Sequence, residues 1–300
     1  VRPAYIYTPG YVADWAGHIF PIQKYRLIHQ RLIQEGVVRR EEFIEPAAAR
    51  TDELLLVHTP EYLTQLDEMT HHPEAGYLMA EIAVTREVLD SFILSAGGTI
   101  RAVREGIQRG AAANVGGGFH HAFANWGEGF CLINDIAVGI RVAQRDGSIH
   151  RAAVIDCDLH QGNGTAKIFQ HDKNVYTFSI HQQNNYPVKQ KSDWDIGLDD
   201  YTGDQEYLDA LSYAVPKILD THAPELVVYV AGADPYKDDQ LGLLKLTKQG
   251  LARRDELVLT GCKKRGIIPI VVLAGGYPTN IQDVVDIHFN TLKLLSQIYT

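Results

Sequence analysis

The stretch VIDCDLHQGNGT, residues 154–165, closes an apolar run with Asp156, Asp158 and His160 at alternate positions before a glycine-rich turn. Carboxylates are rarely buried without a partner, so a cation is expected where this run ends. While a strand continues, positions of one parity share a face, which would bring the three side chains together. Asp158 and His160 offer an oxygen and a nitrogen, and Asp234, at the end of another apolar run, could add a third donor. Two carboxylates and one imidazole suit a borderline divalent ion such as zinc, and also admit iron(II). Three protein ligands leave coordination positions open for water and substrate, which is the catalytic arrangement. Asp158 and His160 could equally cap a following helix, since Asp is a favoured cap residue. Spacing alone leaves both readings open.

Two further groups could do chemistry. His120 and His121 follow Gly116, Gly117 and Gly118, which let the backbone turn tightly and approach a ligand closely. The segment is not a dinucleotide fingerprint, because the final glycine of that pattern falls at His121. Tyr277 follows Gly275 and Gly276 just past an apolar run; its phenol could bond a substrate oxygen or simply pack. His18 is the least settled of the remaining histidines.

These residues need elements to hold them. Apolar runs recur at AYIY near residue 4, LLLVH near 54, AAANVGG near 111 and AAVIDCD near 152, then NVYTFSI, ELVVYVAGA and IIPIVVLAGG. They are uninterrupted rather than alternating, as strands covered on both faces are. Helical patterns lie between them. PIQKYRLIHQRLIQEG has Pro21 at its start and Gly36 as its stop, and HTPEYLTQL offers Thr59 as cap with Pro60 at the first helical position. Alternating strands and helices predict an α/β fold, a central parallel sheet with helices on both faces. Ligands in such sheets bind outside the carboxyl ends of the strands. The ends NVGGGFHHA, VIDCDLHQGNG, YVAGADPYKDD and VVLAGGYPTN therefore converge on one crevice.

Composition bounds the partners. The chain has 300 residues, 45% of them hydrophobic, and a formal charge of −9, which argues against non-specific binding to nucleic acid or anionic membranes. Cys131, Cys157 and Cys262 are odd in number and widely spaced, which predicts a reducing compartment, the cytoplasm, and no disulfide framework. The longest apolar stretch is too short to span a bilayer. No repeat or linker divides the chain, so residues 1–300 read as a single domain.

Taken in order, GGGFHHA, EGFCLINDIAVGI, VIDCDLHQGNGT, FSIH, AGADPYKDDQLG, LTKQGLARRDELV and LAGGY resemble the histone deacetylase family, the zinc-dependent lysine deacylases of the arginase-like fold. HTPEYL and GHIFPIQKY extend the likeness toward the amino terminus. The compact length and RDELV resemble the class IV branch most.

The resemblance implies an arginase-deacetylase-like catalytic domain. It makes Asp158, His160 and Asp234 the zinc ligands, His121 the general base, His120 its electrostatic neighbour and Tyr277 the oxyanion donor. Gly129 and Phe130 match the wall of an acyl-lysine tunnel, with the Gly129 carbonyl toward the substrate amide, and Gly275 joins the substrate-binding set. Asp156 is implied to support His120 and to share a structural potassium site completed by carbonyls of Asp158, His160, Ser179 and Ile180. Gln161 stands where many members carry His, off the ligand parity. Asn163 stands where many carry Asp, and should orient His121 without adding charge. The implied substrate is an acyl-lysine protein or peptide. Rival readings are an acetylpolyamine amidohydrolase, which the acidic balance fits, and a catalytically silent acyl-lysine binding module. A two-manganese ureohydrolase is disfavoured, because the strand end lacks a further carboxylate after the histidine.

Overall fold

The computed structural model describes residues 2–15 and 17–300. The amino-terminal third contains β1 (Ala4–Ile6), α1 (Lys24–Gln34), β2 (Phe43–Ile44), α2 (Thr51–Leu54), α3 (Pro60–Met69), α4 (Gly76–Ala80) and α5 (Arg86–Arg109). Next come β3 (Ala112–Asn114), α6 (Asp135–Arg145), β4 (Ala152–Asp156), α7 (Asn163–Phe169), β5 (Val175–Gln182) and β6 (Trp194–Leu198). The chain continues with α8 (Asp204–Thr221), β7 (Leu226–Val230), α9 (Lys248–Arg265), β8 (Ile268–Val272) and α10 (Ile281–Tyr299). The strands form one eight-stranded sheet in the order β2-β1-β3-β8-β7-β4-β5-β6. Every pairing in it is parallel.

The uninterrupted apolar runs follow from burial on both sides. Along β4, Ala152 and Val154 join a core with Val103, Ile136 and Ile140 of α5 and α6. Ala153 and Ile155 turn the other way, into a core with Leu211 of α8, Leu259 of α9 and Leu292 of α10. Side chains alternate between faces, but both faces are dry, so no polar position interrupts the pattern.

The strand order fixes where a site forms. From β4 the chain moves outward through β5 and β6, then returns to add β7 and β8 on β4's other side. Two neighbouring strands whose connections leave in opposite directions open a crevice at their carboxyl ends. That switch point lies between β4, which leads into Asp158 and His160, and β7, which leads into Asp234.

Two expectations need correction, and two strands carried no signal in the sequence. LLLVH is not a strand: α2 and a turn occupy it, because the backbone N–H of Arg50 is capped by Glu53 at 2.9 Å and starts a helical turn. The pattern with Pro21 begins as helix only at Lys24, whose N–H bonds the Pro21 carbonyl at 2.8 Å; Gly36, at φ 66°, ends it as expected. Strands β2 and β6 escaped notice, the first because two residues carry no pattern and the second because an edge strand reading WDIGL is half polar. Thr59 does cap α3, accepting from the Tyr62 N–H at 3.2 Å, with Pro60 at the first helical position.

Candidate active site

Strand β4 stops at Asp156, so Asp158 and His160 do not share a strand face with it. Two successive turns bring them together instead. Asp156 Oδ1 accepts the Asp158 N–H at 3.1 Å, and Asp158 Oδ1 accepts the His160 N–H at 3.0 Å. The helix-cap alternative falls away: α7 begins after Gly162, and no side chain caps it. Asp234 arrives from β7, and its Oδ1 accepts the Leu159 N–H at 2.9 Å. Asp158 Oδ2 accepts the Gly275 N–H at 2.8 Å. Backbone donors thus fix both carboxylates before any ion is considered, as supporting groups do at metal sites.

Asp158, His160 and Asp234 are buried and present donor atoms within 4.8 Å of one another. His160 Nδ1 lies 3.3 Å from Asp158 Oδ1 and 3.1 Å from Asp234 Oδ2. Burial opposes charge on this imidazole, yet the two carboxylates raise its pKa to about 10. A pocket that holds a proton so firmly between two acids demands positive charge, and a divalent cation meets that demand with the same donors.

The adjacent histidines are held in different states. His120 Nδ1 lies 2.7 Å from Asp156 Oδ2, and His121 Nδ1 lies 2.8 Å from Asn163 Oδ1. Burial works against charge on both. For His120, the Asp156 and Asp158 carboxylates prevail and raise its pKa to about 9. His121 has only a neutral amide, and burial together with the charges of His120 and His160 holds it well below the usual range. A charged and a neutral imidazole thus stand side by side, the pattern that acid and base pairs show where environments push two pKa values apart. Tyr277 faces the same space; burial keeps its phenol protonated, and Asp239 Oδ2 accepts its backbone N–H at 2.7 Å.

A cavity of about 210 Å³ leads from the surface to these groups, lined by Gly129, Phe130, Tyr186, Leu241, His121, His160 and Tyr277, with Glu81 and Asn185 completing the lining. Gly129 and Phe130 both sit at positive φ, 52° and 65°. A Cβ on Gly129 would lie 2.6 Å from the His121 ring, so glycine is required by backbone conformation and by close approach together. The Gly129 carbonyl accepts the Cys131 thiol at 3.3 Å, leaving a lone pair free.

A family model described as the histone deacetylase domain matches residues 18–292. The chain belongs to the histone deacetylase family. It is 39% identical to an uncharacterised protein of Picosynechococcus sp. over 98% of each chain. It is 32% identical to histone deacetylase 2 of Arabidopsis thaliana, covering 91% of this chain and 74% of that one. It is 28% identical to a probable deacetylase of Methanothermobacter thermautotrophicus, covering 91% and 85%. Among solved structures, the HD domain of HDA15 superposes with a TM-score of 0.84 at 25% identity, covering 97% of this chain and 90% of that one. The fold is that of the histone deacetylases, and hydrolase chemistry comes with the family. The family is generally zinc-dependent, and the Asp158, His160 and Asp234 donors fit such an ion.

Within this deacetylase framework the remaining expected residues fall near the cluster. Asp156 pairs with Ser179 in the sheet, with Ile180 next along β5, and Ser179 Oγ contacts His181 Nδ1 at 2.9 Å. Gln161 turns away, bonding the Gln190 carbonyl at 2.6 Å and Asp195 at 2.7 Å. His18 stacks edge-on against Phe130, with ring centroids 4.5 Å apart.

Sequence reasoning missed three contributors. Tyr186 lines the same cavity as Phe130, its ring 5.5 Å from that of His121, and its only signal was an aromatic in the polar run QQNNYPVK. Lys24, on the first turn of α1, is wholly buried and donates from Nζ to the carbonyls of Ala274 at 2.5 Å and Gly275 at 3.2 Å. Burial lowers its pKa to about 8 against the pull of Asp234, Asp158 and Asp239. Asp239 was quoted only as part of a strand end, and it fixes the Tyr277 backbone.

Proposed function

We propose that the chain is a zinc-dependent deacylase that removes a short acyl group from a lysine side chain of a protein or peptide. The observation that carries this reading is the narrow cavity ending at the Asp158, His160 and Asp234 cluster, with Phe130 and Tyr186 as aromatic walls. At about 210 Å³ it is below the common range of roughly 300–1,000 Å³ for small-molecule pockets, so it suits one extended side chain better than a long fatty acyl group.

Asp158, His160 and Asp234 would hold the zinc, which would supply Lewis-acid polarisation of the acyl carbonyl and a more acidic water. His121, neutral and with Nδ1 engaged by Asn163, presents Nε2 to take the proton of the attacking water. His120, charged against Asp156, holds positive charge beside the forming intermediate. A histidine of the pair then gives a proton to the leaving amine. The Tyr277 hydroxyl donates to the developing oxyanion, a contribution typically worth about 3–4 kcal/mol. Gly129 lines the path with backbone, and the free lone pair of its carbonyl accepts the substrate amide N–H; Gly275, the other expected substrate-binding glycine, instead holds Asp158 through its N–H. Asp156, with the carbonyls of Asp158, His160, Ser179 and Ile180, is the proposed structural potassium site. The RDELV stretch supports a class IV-like branch, and three buried free cysteines support a cytoplasmic setting. No helix among the described residues is long and apolar enough to cross a membrane.

One observation favours a second substrate class. Glu81 is exposed in the cavity lining, and its carboxylate would attract the distal ammonium of an acetylated polyamine. Turnover on lysine peptides carrying acetyl, butyryl, octanoyl and myristoyl groups, beside acetylated polyamines, tests both readings. Acetyl-lysine peptides are expected to lead. Preference for myristoyl would overturn the short-acyl reading, and preference for acetylpolyamines the peptide reading.

A further inference from the structure

The stretch RDELV on α9 opens with two charged residues, Arg254 and Asp255, that are buried in the fold rather than facing solvent. Arg254, on α9, has no solvent-exposed surface at all. Its Nη1 donates to the Gly232 carbonyl at 2.6 Å and to the Cys157 carbonyl at 3.2 Å. Its Nε and Nη2 meet Asp255 Oδ1 at 3.0 and 2.9 Å. Asp255 in turn accepts the hydroxyls of Tyr229 at 2.5 Å and Thr291 at 2.6 Å, which ties the pair to β7 and α10.

The two carbonyls belong to the segments that carry the ligand set. Cys157 stands between Asp156 and Asp158, and Gly232 precedes Asp234 by two residues. The ladder between β4 and β7 ends at Asp156 and Val230, with one more backbone bond, from the Cys157 N–H to the Val230 carbonyl at 3.0 Å. Beyond that point the segments are joined by the Leu159 N–H on Asp234 and by the fork of Arg254. Tolerance there is small: a Cβ on Gly232 would lie 2.3 Å from Asp158 Oδ2. An ion pair this deep is costly to desolvate, and an apolar side chain would fill the space at lower cost if filling were its only task. Nη1 alone holds both carbonyls while Nε and Nη2 face Asp255; a lysine ammonium would end one bond short of the Nη1 position and an aliphatic side chain carries no donor, so neither replaces this contact.

We infer that Arg254 is a positioning residue for the metal: its guanidinium clamps the Cys157 and Gly232 carbonyls and so sets the spacing of Asp158 and Asp234. The inference rests on the reading of Asp158, His160 and Asp234 as metal ligands. It touches neither substrate nor ion, so its effect is read as metal affinity.

The experiment measures the zinc dissociation constant of the full chain by competition with a chromophoric chelator, with the thermal midpoint of the metal-free protein recorded alongside. Arg254→Met is expected to weaken zinc binding about 10–100-fold, the usual effect of losing a supporting partner around metal ligands. Arg254→Lys keeps the charge but ends one bond short of the Nη1 position, and is expected to lose affinity by an intermediate factor of about 3–10. Asp255→Asn leaves the guanidinium on both carbonyls. It is expected to lower the metal-free midpoint while changing zinc affinity by less than about threefold, on the same scale. Wild-type affinity in Arg254→Met with a lowered midpoint would make Arg254 merely structural and overturn the inference. If Arg254→Met does not fold, wild-type affinity in Arg254→Lys overturns it equally. Asp234→Asn distinguishes the two levels: if the unaltered chain binds no zinc and this substitution changes nothing, the ligand reading itself fails and the clamp falls with it.

Discussion

Replacing Asn163 by Asp exchanges a neutral partner of His121 for an anionic one at nearly constant shape. In the native protein His121 Nδ1 and Asn163 Oδ1 are 2.8 Å apart, both residues are buried, and the imidazole is held well below its usual pKa by burial and by its charged neighbours. Two unit charges about 4 Å apart at an effective dielectric near 20 interact by about 4 kcal/mol, or about 3 pKa units. Part of this is lost because the new carboxylate is itself desolvated, so a rise of about 1–3 units is expected. The sign follows from the role of the base. His121 must be neutral to accept a proton, so kcat/KM falls as pH drops through its pKa, and raising that pKa moves the acid limb to higher pH. The assay is kcat/KM for an acetyl-lysine peptide over roughly pH 5–9, which reports groups of the free enzyme. Water activated in the same site titrates too, so the limb is fitted as coupled steps. Asn163→Ala serves as the control: it removes the acceptor without adding charge, so activity should drop with no upward displacement. An acid limb that stays still or moves down in Asn163→Asp would refute the assignment of His121 as the base governed by this partner.

Other outcomes follow from the same geometry. Tyr277→Phe is expected to lower kcat about a hundredfold or more with KM little changed and zinc content intact, since the phenol acts on the transition state; a rise confined to KM would make it a binding residue. Elemental analysis of the purified chain should give one divalent ion, and Asp234→Asn should lose it; about two ions, or full activity after substitution, contradicts the ligand set. Gly129→Ala should abolish most turnover, because its Cβ would lie 2.6 Å from the His121 ring and 2.9 Å from the Tyr186 hydroxyl; near-native kcat would mean the wall can yield. Thr59→Ala removes the cap of α3 and should cost about 1 kcal/mol in urea unfolding, with kcat unchanged.

Much of the site was legible because its residues follow strand ends. Asp158, His160, Asp234 and Tyr277 each come just after an apolar run, and a parallel sheet collects such ends at one edge whatever the loops do. The reason given for their convergence was only half right. Parity along β4 explains Asp156 but not Asp158 and His160, which lie beyond the strand and are gathered by hydrogen bonds that each carboxylate accepts from the N–H two residues on. Periodicity cannot see a turn of that kind; Asp itself is the signal, because it readily bonds its own backbone two residues later. LLLVH failed for a related reason. A short apolar run reads alike in strand and helix, and the local bond from Arg50 to Glu53 decided the matter.

What sequence could not reach was the balance of charge. Asp156, Asp158, Asp234 and Asp239 are all buried near one point, and such a group needs cations close by. His120 was visible because it sits among the glycines that mark the crevice. Lys24 and Arg254 were not, since each lies on a helix among polar neighbours, where a cation reads as surface. In the fold both are wholly buried and both grip backbone carbonyls at strand ends: Lys24 those of Ala274 and Gly275, before Tyr277, and Arg254 those of Cys157 and Gly232, beside Asp158 and Asp234. A divalent ion alone would offset two of the carboxylates. Lys24 and the charged His120 offset the other two, while Arg254 is balanced by its neighbour Asp255; because Lys24 and Arg254 bond main chain, neither competes for the carboxylates of Asp158 and Asp234.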